Sequence, residues 1–297
     1  MIASYALRLA CLSFTVFLLI HTLLGAVVVL LGPAAIRAAQ RMRPRGATCY
    51  LLALRLLPAA AGVFVVVVFC IPSYLWLEPE AGPEEIGWLC LAGAAVAVCL
   101  FAGAAINAAR AFRRSLAFTR QCERTGAPVM MLAGVLRPRL VVSPAVHEAL
   151  SAEQMAAAIC HEQAHLRAHD NLKRLVLSAT PRLPGFRALE RAWSRMSEWA
   201  ADDEAVAGDA ERSLCLAAAL VRVARLGGVP AEVGFLGDSA DLACRVDRLL
   251  HPRPYAPSRH GAAQAMAAAT IAATLVIVTL RTETLELAHR VLEHLVH

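Results

Sequence analysis

The sequence predicts a mainly α-helical, multi-pass membrane protein of about four transmembrane helices. A polar domain with a small β-hairpin is inserted between the third and fourth spans. Three observations predict this. First, 58% of the 297 residues are hydrophobic and the mean hydropathy is +0.56, too apolar for an ordinary soluble domain. Second, the apolar residues are gathered into runs of about 20 residues, the length that crosses a 30 Å hydrocarbon core. Third, arginines cluster at alternate ends of those runs. The chain divides into a membrane region at 1–109, a polar domain at 110–255, and a last span with a short tail at 256–297.

The first apolar run, 9–31, is too long for a signal-peptide core and no small-residue cleavage pattern follows it. His21 inside it reads as a satisfied interior group. Arg37, Arg41, Arg43 and Arg45 follow without an acid. The second run, 56–77, ends in Tyr74 and Trp76, an interfacial aromatic belt. Its connection to the third run, 86–108, carries Glu and no Lys or Arg, and Arg110, Arg113 and Arg114 close that third run. The side with more basic residues faces the cytoplasm. The N-terminus is therefore expected outside and everything after residue 109 inside.

Within the polar domain, 129–132 and 140–143 are short apolar runs separated by Gly134 and Pro138, the pattern of a hairpin. Such a hairpin either aligns an extended peptide by strand addition or only packs on its neighbouring helix. Pro181 and Pro184-Gly185 break the chain before a further helical stretch. A Pro-rich linker, 252–257, leads to the weakest apolar run, 261–280, and to a tail expected outside. In that tail Leu285, Leu292 and Leu295 recur at helical spacing, and His294 and His297 read as a solvated face.

The net charge of +6 is carried mostly by arginines flanking the apolar runs, so membrane orientation accounts for it. No basic face with aromatic or recognition-helix features predicts direct nucleic-acid binding. Nine cysteines without a CxxC give neither a disulfide framework nor a thiolate metal site. Cys11, Cys70, Cys90 and Cys99 fall inside apolar runs as small hydrophobes.

The chemistry concentrates in His161-Glu162-Gln163-Ala164-His165. Ser151 and Gln154 form a capping-box signature, and no Gly or Pro follows before Pro181, so the motif sits on a helix. Four residues apart, His161 and His165 share one face and both reach a single metal ion. Glu162 lies about 100° round that helix, placed to take the proton of a water at the same ion. This is the HExxH signature of zinc peptidases.

Catalytic zinc usually takes three protein ligands. Glu198 and Asp202, four apart on a second helical stretch, face the same way. Glu198 is the favoured third ligand, and Asp202 the carboxylate that accepts the distal N–H of a ligand histidine. The rival ligand is His169. On a straight helix it lies about 12 Å from His161, and no glycine offers a break.

Taken together, the run Arg137 to Pro144, HExxH, Asp170-Asn171 and Glu198-x-x-x-Asp202 resembles the membrane-embedded zinc metallopeptidases of the BlaR/MecR antirepressor group. A more distant similarity is to the HtpX-type membrane proteases. The resemblance covers roughly residues 125–250. It implies a zincin-type domain on the cytoplasmic side, with Asp170 as a further carboxylate behind a histidine ligand. Arg245-Val-Asp-Arg-Leu-Leu250 is similar to a terminal Arg-containing motif of that family. Arg245 reads either as a partner of a site carboxylate or as a surface ion pair, and Arg245 and His251 are the candidates for oxyanion stabilisation. The antirepressor sensors carry a penicillin-binding domain after their fourth span. Here no Ser-x-x-Lys motif is present and seventeen residues follow Leu280, so direct β-lactam sensing is not expected.

The expectation is thus a multi-pass cell-membrane endopeptidase holding Zn2+ through His161, His165 and Glu198, with Glu162 as base. Its partners would be membrane lipid and a protein substrate, with a cytoplasmic transcriptional repressor the regulatory case, and a homo-oligomer is compatible. Two other expectations stand beside it: a quality-control protease for membrane proteins, and a non-catalytic signalling subunit with a structural zinc. An intact Glu162 argues against the last, because a structural site needs no base.

Overall fold

The computed structural model describes residues 2–77, 87–125, 129–135, 137–226 and 239–251. The linker at 252–257, the apolar run 261–280 and the tail with His294 and His297 lie outside the described residues.

The fold is mainly helical with one two-stranded antiparallel sheet. Among the described residues, three helices are long and apolar enough to cross a membrane: Tyr5–Ala39, Pro44–Trp76 and Trp88–Arg114. They belong to α1 (Ile2–Ala39), to a rod made of α2 (Pro44–Val65), a π turn (Val66–Cys70) and α3 (Ile71–Leu77), and to α4 (Trp88–Thr125). The π turn has a local cause. Pro72 lacks the N–H that would bond the Val68 carbonyl, so the preceding turn widens. Tyr5 and Tyr74 pack ring on ring, 4.7 Å apart, at one end of the bundle.

The helices do not stop where the apolar runs end. α1 runs on past residue 31 and α2 starts well before residue 56, so both project beyond the expected spans. Their projecting ends stay helical because another helix covers them. Ala39, Ala47 and Leu51 share a core with Leu177, Phe186, Leu189, Ala192, Trp193 and Met196. Most of that cover is α8 (Phe186–Val206), lying antiparallel along α2. Arg55 Nε donates to Glu190 Oε1 at 3.0 Å near one end, and Arg45 Nη1 to Glu204 Oε2 at 3.2 Å near the other. Gly185 turns the chain into α8 with φ +94°, a left-handed backbone that favours glycine. A Cβ there would also fall 2.6 Å from a Val29 methyl.

The remaining elements wrap the motif helix. Strand β1 (Met130–Ala133) pairs with β2 (Arg139–Val142), Met130 opposite Val142 and Ala133 opposite Arg139. Short α5 (Pro144–Ala149) is capped by Ser143. α6 (Ala152–Ala168) carries the HExxH motif, and its Ser151–Gln154 capping box is formed as the sequence predicts. α7 (Asp170–Ala179), α9 (Ala210–Arg225) and α10 (Ser239–Leu250) complete the order. The small residues Ala157 and Ala158 let α6 sit close to α9. Ala157 meets Leu216, Ala217 and Leu220, and Ala158 meets Ala219 and Val223.

One expectation about this helix fails. Without a glycine, the motif helix was expected to run on towards Pro181. Instead it ends at His169, which takes a left-handed backbone with φ 55°. The strain of that conformation, typically 1–3 kcal/mol for a non-glycine residue, is offset locally. His169 Nδ1 lies 3.0 Å from the Leu166 carbonyl, and the new helix starts with Asp170 bonded to His165.

Candidate metal centre

Two histidines from α6 and one carboxylate from α8 converge. His161 Nε2 and His165 Nε2 are 3.1 Å apart, and Glu198 Oε2 lies 3.6 Å from each. Each imidazole is oriented from behind. His161 Nδ1 is 2.8 Å from Asp202 Oδ1, and His165 Nδ1 is 2.7 Å from Asp170 Oδ2. Those carboxylates accept from the Nδ1 N–H groups, so both Nε2 atoms turn a lone pair inward. Three acceptors facing one another at such distances repel unless a cation lies among them. A tetrahedral ion with bonds of about 2.0–2.1 Å spaces its ligand atoms about 3.3 Å apart, which these three edges match. The residues present therefore fit a metal ion.

The electrostatics agree. Four carboxyl groups, Glu162, Asp170, Glu198 and Asp202, surround the cluster, and Arg245 is the one buried guanidinium among them, 3% exposed. Burial opposes a charge on His165, yet Glu198 and Asp170 pull its ring up to about 10: a proton there supplies the positive charge the cluster asks for. Burial would raise Glu198, but His165 and Arg245 beside it hold its carboxyl well below the usual range. Asp202 is likewise pressed down to about 2, chiefly by Arg245 against the effect of burial.

Glu162 is 4% exposed and its Oε2 accepts the Leu132 N–H of β1 at 3.0 Å. Burial lifts its carboxyl above the ordinary range, and the neighbouring His161 and His165 act the other way. Leu132 is tied on its other side too. Asn171 Nδ2 donates to the Leu132 and Gly134 carbonyls at 3.0 and 2.8 Å. The outward polar groups of β1 at Leu132 thus bond α6 and α7, and hold the base in place. A peptide adding to the hairpin would have to use other groups. A cavity of about 400 Å³ opens beside His165, lined by Leu132, Val135, Pro138, Leu166, His169 and Leu172 among others.

Each residue singled out in the sequence has a definite place. His161, His165 and Glu198 form the one cluster of potential metal ligands found among the described residues. Asp202 and Asp170 stand behind the two histidines, one each. His169 is exposed and outside the cluster despite the break in the helix. The surface-pair reading of Arg245 fails. Its guanidinium is buried, forked on Asp202 at 2.8 and 2.7 Å, and 3.1 Å from Glu198 Oε2. His251 does not reach the site, since it is exposed at the end of α10 beside Asp247. His21 is fully buried and stacks on Phe17, with the backbone of Pro58 and of Pro181 beside its ring.

Three contributors carried no sequence signal. Ser197 Oγ donates to Asp170 Oδ2 at 2.7 Å, Arg174 Nη2 donates to Glu198 Oε1 at 3.2 Å, and the Leu132 amide holds Glu162. An alignment of helices sets all three, not a local spacing.

Compared with protein-family models, with curated proteins and with solved structures, the chain matches none.

Proposed function

We propose that this chain is an integral-membrane, zinc-dependent endopeptidase that cuts proteins on the cytoplasmic side. The observation that carries the reading is the triad of His161 Nε2, His165 Nε2 and Glu198 Oε2, with a buried carboxylate behind each histidine and Glu162 on the neighbouring face of α6. Two histidines and one glutamate leave a coordination position for water, the arrangement of a catalytic site. Zinc is favoured by that mixed imidazole and carboxylate set. When bound, zinc polarises the scissile carbonyl and makes water acidic enough to lose a proton near neutral pH.

The chain's own residues do the rest. Leu132 holds Oε2 of Glu162, which leaves Oε1 to take the proton of the attacking water. As the C–N bond breaks, the same carboxyl returns that proton to the leaving amine nitrogen. A carboxyl raised by burial is a stronger base for the first transfer than one at its ordinary value, and holds the proton until the amine takes it. Asp202 and Asp170 keep both rings in the tautomer that presents Nε2. Arg245 fixes Asp202 and partly neutralises the cluster.

The arginine clusters at 37–45 and 110–114 favour a cytoplasmic site, and the sequence resemblance favours a regulatory protease. The test uses the full chain in detergent, with zinc counted by mass spectrometry and casein as an unfolded probe. The expected result is close to one zinc per chain, with casein hydrolysis lost on chelation and restored by zinc. A zinc-loaded chain that leaves casein and itself intact would favour a non-catalytic membrane subunit.

A further inference from the structure

Peptide hydrolysis gathers a charge that the chain has to meet. The oxygen of water bonds the scissile carbon, its proton goes to Glu162 Oε1, and the carbonyl π pair moves onto the carbonyl oxygen. That oxygen stays negative until the C–N bond breaks, the pair returns to the C=O bond and the proton passes to the amine nitrogen. A positioned donor at the oxygen contributes about 10²–10³-fold in rate. Arg245 is engaged elsewhere. Its Nε and Nη2 fork onto Asp202, its Nη1 lies 3.1 Å from Glu198 Oε2, and it stands on the closed side of the centre. Side-chain exposure is 0% at His161 and 3% at Arg245, but 18% at Glu198 and 43% at Arg174. A peptide therefore enters from the side of Glu198 and Arg174.

The turn at His169 is what brings Arg174 there. On a straight continuation of α6, residue 174 would lie roughly 20 Å along the axis from His161. The left-handed residue starts α7 instead, and on α7 Asp170 and Arg174 are one turn apart and share a face. Asp170 bonds His165, and Arg174 Nη2 donates to Glu198 Oε1 at 3.2 Å. Oε2 of the same carboxylate is the atom 3.6 Å from both imidazoles, so the guanidinium stands right beside the ligand triad. A guanidinium has five N–H donors, and the Glu198 bond uses one of them. Lys173 is placed differently: its Nζ is 3.4 Å from Asp170 Oδ1, behind His165. We propose that Arg174 donates a hydrogen bond to the scissile carbonyl oxygen and stabilises the charge that gathers on it, while it holds Glu198 through Nη2. This rests on the endopeptidase reading above.

The test uses the full chain in detergent, loaded with zinc, with fluorescent casein as the probe. Zinc affinity is read separately, by competition against a chelator. Arg174→Gln should lose about 10²–10³-fold in kcat, with KM and zinc affinity within a few-fold of the parent chain. Arg174→Lys keeps the charge and should recover part of the rate. Millimolar guanidinium chloride should raise kcat of the Arg174→Ala chain, with its zinc affinity unchanged, and should leave the parent rate as it is. Zinc affinity that falls in step with kcat would mean an arginine that only positions Glu198, and would overturn the proposal. So would a rate close to the parent's in Arg174→Gln, or a loss that neither lysine nor guanidinium relieves. A parent chain that holds zinc and cuts no casein would overturn the endopeptidase reading, and the proposal with it.

Discussion

Arg245 of α10 forks onto Asp202 of α8, with Nε 2.8 Å from Oδ2 and Nη2 2.7 Å from Oδ1. The same Oδ1 lies 2.8 Å from His161 Nδ1. A guanidinium 84 positions away in sequence therefore acts on His161 both through one carboxylate and directly, with Nη2 3.4 Å from Nε2. Removing it frees Asp202 to rotate and leaves a buried charge unpaired.

Arg245→Met should therefore weaken zinc binding by about 10–100-fold, the range for groups that orient metal ligands. Arg248→Met should not, because Arg248 bonds Asp203 and the Trp199 carbonyl instead. Competition against a fluorescent zinc chelator measures both. Equal zinc affinity in the two variants would remove the orienting role of Arg245.

Glu162→Gln should keep its zinc and lose about 10²–10⁴-fold in hydrolysis, the contribution of a general base. The amide still accepts the Leu132 N–H, so β1 stays in place while the proton acceptor is gone. Metal analysis and casein hydrolysis on one preparation check this. Activity within a few-fold of the parent chain would take the base role from Glu162.

For the third ligand, Glu198→Ala should strip zinc far more than His169→Ala. Glu198 Oε2 stands 3.6 Å from both imidazole nitrogens, whereas His169 faces outward. Asp202→Ala should fall between them, with a loss of about 10–100-fold. Zinc lost in the His169 variant and kept in the Glu198 variant would reverse the assignment.

Legibility in the sequence followed the range of the interactions. The i, i+4 spacing of His161 and His165 and the Ser151–Gln154 box are set within one helix, and both formed as read. Glu198 and Asp202 were legible as a pair because they too lie four apart. Their meeting with α6 depends on how helices align, a fact that spacing alone does not carry. The break at His169 was hidden because the residue in the left-handed position is not glycine and is held by bonds to Leu166 and through Asp170. For the same reason the sequence leaves Arg245 between a site-carboxylate partner and a surface ion pair: its partners lie 43 and 47 positions away, on another helix. Past their apolar runs α1 and α2 stay helical where α8 covers them, a contact that the runs themselves do not signal.

Which side of the membrane holds the centre decides which substrates it meets. The loop between α1 and α2 carries Arg41 and Arg43, flanked by Arg37 and Arg45, and α4 passes through Arg110, Arg113 and Arg114 on leaving its apolar run. At the opposite ends stand Tyr74, Trp76 and Trp88, with no arginine or lysine in the connection between them. Both loops are short enough for the basic-residue bias to set orientation. The candidate centre is built from α6 and α8, which follow α4 in the chain, so the proposal puts it on the arginine side. On a cysteine-free background in intact cells, Trp88→Cys should react with a membrane-impermeant thiol reagent. Trp88 opens α4 at the aromatic end, beside the connection that holds no arginine or lysine, and is 74% exposed on the protein itself. Arg43→Cys and Arg212→Cys should react only after the cells are opened. Arg212 sits in the first turn of α9, with its side chain 60% exposed, and reports the side of the domain that carries the candidate centre. Labelling of Arg212→Cys in intact cells would place the centre outside and exclude cytoplasmic proteins as its substrates.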